Sequence, residues 1–253
     1  MRLVMMKSLI RWSATLGLLG STLIGTWFAQ MPKVFALPEP EVVKVLQEVP
    51  VFTIMTDEGI PLIRTLEDDR NITQVFMSQQ DANQFLTQLK EVQPELANQF
   101  KVQALPLGQV YRLALSINKE KESLTFAYIP MRSAVDSAKK VLSDNGEQYQ
   151  GGVPLFVLRD GPENDIVVME QGDKPVIPFF FEQSDIQALA EQMKKEAPDI
   201  AETVKIGVVT LEGVINVLQT DDQEMLKNII LVPSDESKKF LQNIFQSQQN
   251  QGQ

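Results

Sequence analysis

Acids are the groups in this chain with the widest chemical reach. Glu67-Asp68-Asp69 and Asp221-Asp222 place carboxylates side by side. Paired carboxylates serve glycoside hydrolysis and oxygen-donor calcium sites. Both runs fall in turn-like segments, where a solvated acidic turn is the plainer reading. The next reactive group is Ser237-Lys238-Lys239. A serine nucleophile with a lysine base has the lysine three residues on, or paired in a cleft, and here it follows directly. The chain contains no histidine and no cysteine. That excludes Ser/His/Asp and Cys/His nucleophiles, a zinc finger, a disulfide scaffold and a histidine pH switch. No GxGxxG or GxxxxGK[ST] run offers a phosphate cradle. The expectation is a protein that is not an enzyme, with no catalytic residue, cofactor or metal.

Binding through apolar surface remains. Val176-Ile177-Pro178-Phe179-Phe180-Phe181 carries three consecutive phenylalanines, and Val75-Phe76-Met77 holds the corresponding places in the first half. A strand alternates its faces, so Phe179 and Phe181 point one way and Phe180 the other. Such a run reads either as a strand buried on both faces by helices or as an open groove for a polypeptide. On the second reading Phe76, Met77, Phe179, Phe180 and Phe181 are the expected client-binding residues. Ten methionines suit an adaptable apolar surface, although core gap-filling is their commoner use.

The elements that position these residues follow from periodicity. Arg2, Lys7 and Arg11, an uncharged run from Trp12 to Phe28, and Val34-Phe35-Ala36 make the three parts of a secretory signal peptide over residues 1–36. An uncleaved membrane anchor is the rival. Cleavage removes Arg2, Lys7, Arg11 and Lys33, so 23 bases become 19 against 33 acids, and the net charge moves from −10 to −14. A chain so acidic repels nucleic acid and anionic lipid, and no stable membrane insertion is expected once it is cleaved.

The body lies on itself at a shift of 104 residues without a gap. Over 49–52 and 75–114, 13 of 44 positions are identical to their counterparts. Asp81 falls on Asp185, Lys90 on Lys194, Pro94 on Pro198 and Lys101 on Lys205. The fold class expected is α+β, as two homologous mixed α/β repeats in tandem. Residues 37–48 form a linker or short helix, 49–145 the first repeat, 146–245 the second and 246–253 a disordered polar tail. Within the second repeat, 153–158, 166–169 and 176–181 read as strands. A helix with Ile186, Leu189, Ala190 and Met193 on one face follows. Ser78 with Asp81, and Ser234 before Asp235-Glu236, read as helix starts. Pro94 and Pro198 open short second helices, and a strand, a helix, a strand and a final helix follow in each half.

Five segments in order carry a resemblance: Val153-Pro154-Leu155-Phe156, Val176 to Glu182, Ala197-Pro198-Asp199-Ile200-Ala201, Leu211-Glu212-Gly213-Val214-Ile215 and Ile230-Leu231-Val232-Pro233. With their echo in the first half they resemble the Tic 22-kDa-like family over about residues 42 to 245. These are cyanobacterial relatives of an intermembrane-space component of the chloroplast inner-envelope translocon. The resemblance implies a periplasmic or thylakoid-lumen protein with two related halves. It implies a chaperone-like role toward unfolded or precursor polypeptides, handing them to an Omp85-class outer-membrane insertase. A structural adaptor between envelope proteins and an exported carboxylate hydrolase are the alternatives that the residues leave open.

Overall fold

Alternating two-residue and 3.6-residue periods build two sheets wrapped by helices. The structure is a computed structural model that describes residues 37–119, 124–161, 164–198, 202–221 and 223–251. The signal-peptide reading of 1–36, Asp222 and most of Pro198-Asp199-Ile200-Ala201 lie outside the described residues.

The first sheet holds β1 (Pro50–Met55), β2 (Ile63–Thr65), β3 (Asn71–Phe76), β4 (Lys101–Pro106) and β5 (Leu124–Ile129). The second holds β6 (Pro154–Asp160), β7 (Asp165–Ile166), β8 (Met169–Gln171), β9 (Lys174–Phe180), β10 (Lys205–Thr210) and β11 (Ile229–Val232). Their central orders correspond: β4-β1-β3-β5 and β10-β6-β9-β11, antiparallel twice and then parallel. The registers correspond too. Phe52 faces Phe76 and Phe156 faces Phe180; Pro50 faces Pro106 and Pro154 faces Thr210.

One strand expected over 166–169 is two. β7 pairs with β6 and β8 pairs with β9, so the chain changes partner at Val167-Val168, where Val167 N–H donates to Leu158 O at 2.9 Å. Gly161 (φ +68°) and Asn164 (φ +55°) turn the chain ahead of it in the left-handed region that Gly and Asn tolerate.

The helices are α1 (Glu39–Leu46), α2 (Gln79–Val92), α3 (Pro94–Ala97), α4 (Leu107–Lys119), α5 (Arg132–Asp144), α6 (Gln183–Glu196), α7 (Leu211–Thr220) and α8 (Asp235–Gln251). A 3-10 turn, Glu224–Asn228, precedes β11. Both serine starts form: Ser78 Oγ accepts from Asp81 N–H at 3.1 Å, and Ser234 Oγ accepts from Ser237 N–H at 3.2 Å. Helix α8 runs on to Gln251, over the stretch read as a polar tail.

The halves interlock. Helix α1 packs on α4 of the first half and on α7 and β11 of the second, burying Val42, Val43 and Leu46. Helix α5 leaves the first sheet and lies on β6, β10 and α6, close-fitting because Ala134 and Ala138 face the core. Helix α8 makes the reciprocal move, and Phe240 meets Phe52 edge-on at 5.2 Å between ring centres. The main core therefore runs through both halves, and a smaller one around Phe52, Ile54, Phe76 and Leu86 lies between the first sheet and α2.

Candidate apolar binding cleft

The five residues expected to hold a client are all buried. Met77, Phe179, Phe180 and Phe181 belong to the main core, and Phe76 to the smaller one. The open-groove reading at these positions is corrected to core. The reason is topological: β9 is flanked by β6 and β11 within the sheet, α6 packs against it, and the 3-10 turn closes on it. The phenylalanine run is a strand buried on both faces.

The open apolar surface lies one layer further out. A cleft of about 310 Å³ opens between the outer end of the first sheet and helices α2 and α3. Its walls are Ile54 on β1, Leu62, Ile63, Arg64 and Thr65 at and just before β2, Ile72, Thr73 and Gln74 on β3 between those two strands, and Phe85, Leu89, Gln93 and Leu96 from the helices. The local sequence explains why it stays open. Strand β2 is only three residues long, all exposed, and pairs with the first half of β3 alone. Pro94 then ends α2 and starts α3, so the helical layer turns away at the cleft's end. In the second half, the places of Phe85 and Leu89 at a shift of 104 are Leu189 and Met193, and Met193 is buried.

The rim carries large apolar groups that water would not select. Ile63 is 46% exposed and Leu96 36%. Phe76 reaches the site indirectly: its ring lies 5.6 Å from that of Phe85, which lines the cleft. Phe85 and Leu89 fall, at the shift of 104, on Leu189 and Met193 of the apolar helix face that the second repeat predicts. Periodicity alone does not pick out Ile63, Arg64 and Ile72. Their signal is Leu62-Ile63 and Ile72 bracketing the turn Glu67-Asp68-Asp69, a hairpin pattern.

Comparison with known proteins places this architecture. The model of the Tic22-like family matches residues 4–243. The chain belongs to the Tic22-like family. It is similar to the chloroplastic protein TIC 22 of Pisum sativum, 23% identical over 218 residues, covering 85% of this chain and 81% of that one. The solved Tic22 of Anabaena, described with protein transport, is 28% identical with a TM-score of 0.72, over 82% of this chain and 97% of its own. Tic22 from Plasmodium falciparum shares the fold at a TM-score of 0.63 and 21% identity, over 81% of this chain and 98% of its own.

No carboxylate side chain lines the cleft of this Tic22-like chain, and the closest gathering of acids lies elsewhere. Glu182, Asp185 and Asp235 bring oxygens within 4.8 Å of one another where α6 and α8 begin. Lys238 lies among them, 2.6 Å from Asp185 and 3.1 Å from Asp235. Partial burial opposes its charge, but hydrogen bonds to these two carboxylates outweigh that and raise its pKa. Glu182 Oε2 accepts from Asp235 N–H at 3.2 Å, at the start of α8. The cluster is thus an ion-pair knot that ties two helix starts together. In the acidic turn, Arg70 bonds Asp68 at 2.7 Å and holds its carboxyl below the usual range. Among the described helices, none is long and apolar enough to cross a membrane.

Proposed function

We propose that this chain is an exported protein-transport factor that holds apolar stretches of precursor polypeptides in the cleft between α2–α3 and β2–β3. The observation that carries the reading is the cleft itself: apolar walls, exposed apolar rim and no acid in its lining. Removing apolar area from water yields about 25 cal/mol per Å² without directional demands, which suits many unrelated clients. Membership of the Tic22-like family and the protein-transport description of the Anabaena relative support it. The signal-peptide pattern of residues 1–36 supports delivery to the periplasm or thylakoid lumen, with cleavage leaving a body whose described helices include none long and apolar enough to cross a membrane. The corresponding strand orders and registers support descent of both halves from one repeated unit. An Omp85-class outer-membrane protein is the partner to which clients pass.

Ile63→Ser and Leu96→Ser test the cleft. Each side chain is partly exposed, so the melting temperature should move little. Each substitution removes about 1–2 kcal/mol of apolar burial, and binding of an unfolded outer-membrane barrel precursor should weaken about 5–30-fold. Unchanged affinity in a folded double variant would remove the cleft from the reading. Recovery of an Omp85-class protein from outer-membrane extract by the exported chain tests the partner, and a clean absence would drop it.

A further inference from the structure

The first described residue sits at the end of a helix that lacks something. Leu37 is only 6% exposed, and its backbone N–H donates to Leu218 O at 3.2 Å. Leu218 belongs to the last turn of α7, whose final carbonyls have no partner within the helix. A helix C-terminus carries a partial negative charge that a cation offsets. No basic side chain stands in the last turn of α7, and Asp221 follows, adding negative charge. Directly before Leu37, Val34-Phe35-Ala36 places small residues at the positions that signal cleavage requires.

We infer that processing after Ala36 creates an anchoring N-terminus: the new α-ammonium of Leu37 is the cation that caps the C-terminal end of α7. This rests on the export reading above. The amide that donates one hydrogen bond in the precursor becomes a charged group with three donors at the same carbonyl end. The Leu37 side chain is already in the core, and α1 begins two residues later across the seam between the halves. Cleavage one residue earlier or later would put the charge elsewhere or remove the buried leucine. The processing site and the folded body therefore fit each other to the residue.

The test uses the precursor exported to a bacterial periplasm, alongside a variant with Gly-Ser inserted between Ala36 and Leu37. Intact mass of the natural product should give Leu37 as the first residue. The inserted chain should start two residues earlier, with its ammonium displaced from α7. At pH 6.5, below the ordinary α-amino pKa of about 7.7–8.0, its melting temperature should be lower by about 1–4 °C at low salt. The gap should narrow in about 1 M salt, where charges are screened beyond about 3 Å. Selective transamination of the α-amine on the natural product supplies the same comparison if insertion redirects cleavage. A product that retains residues 1–36 overturns both this inference and the export reading. A product that begins at Leu37 but melts identically with and without its α-amine overturns the anchor alone.

Discussion

Tyr128 lies on β5 opposite Val75, half-buried against the main core. Burial first, then the nearby Glu212 carboxylate and Tyr111, pushes its pKa up to about 12. Burial and Glu212 also raise Tyr149, in the segment that joins the halves. A phenol whose folded pKa exceeds its unfolded value holds its proton more tightly in the native state. Its contribution is intact below pH 10 and is lost as pH rises from 10 to about 12, at most about 2–3 kcal/mol. Tyr128→Phe should abolish that share of alkaline destabilisation, and the phenolate absorbance step near pH 12 should vanish with it. Retention of that step in the variant would assign it to another tyrosine.

At the scale of elements, close approach of backbones decides what the helices tolerate. Gly108 on α4 lies under α1: a Cβ there would stand 2.6 Å from the carbonyl oxygen of Val43 and 2.9 Å from Gln47 Oε1. The nearer atom is helical backbone, so α1 itself must shift. Gly108→Ala should cost about 1–3 kcal/mol, read as a lower urea midpoint at unchanged slope. Gly207→Ala is the contrast, since the atoms nearest its Cβ, at 2.6 Å, belong to the Arg159 side chain. That side chain can swing, and the loss should be smaller. The same distinction explains what was legible in the sequence. Helix α6 follows its apolar stripe, with Ile186 and Met193 buried, and Ser78 and Ser234 cap as their positions suggest. Local period and cap chemistry are carried by neighbouring residues. Partner exchange at Val167-Val168 is a switch between two local pairings that periodicity does not distinguish, and burial of Phe179 to Phe181 depends on β11 and the 3-10 turn, which lie far along the chain. The cleft too is non-local: Ile63 and Leu96 look ordinary until β2 and α3 bring them to one opening.

At the scale of the molecule, the exchanged helices make two similar halves into one cooperative object. Helix α5 belongs by sequence to the first half, but its buried face lies on the second sheet. Phe240, from the second half, packs against Phe52 in the core of the first. Gln219 of α7 donates to the Tyr111 hydroxyl of α4 at 3.0 Å, and α1 lies across the seam. A chain of this kind has net stability of about 5–15 kcal/mol, a small remainder of large opposing terms. Stripping α8 from the first sheet exposes Phe240 and uncovers Phe52, each worth about 1.5–3 kcal/mol of burial, which is a large share of that remainder. A fragment of residues 37–145, and one of residues 146–253, should therefore each lack a cooperative melting transition. Mixed, they should recover one, with a midpoint that rises with concentration because association is then part of folding. The intact chain should melt in a single step seen alike by far-ultraviolet dichroism and by the near-ultraviolet signal of Tyr111 and Tyr128 in the first half and Tyr149 in the segment that joins the halves. Two separated transitions in the intact chain, or a cooperative fold in either fragment alone, would mean that each sheet carries its own stability and that the exchanged helices are trimming rather than the bond between halves.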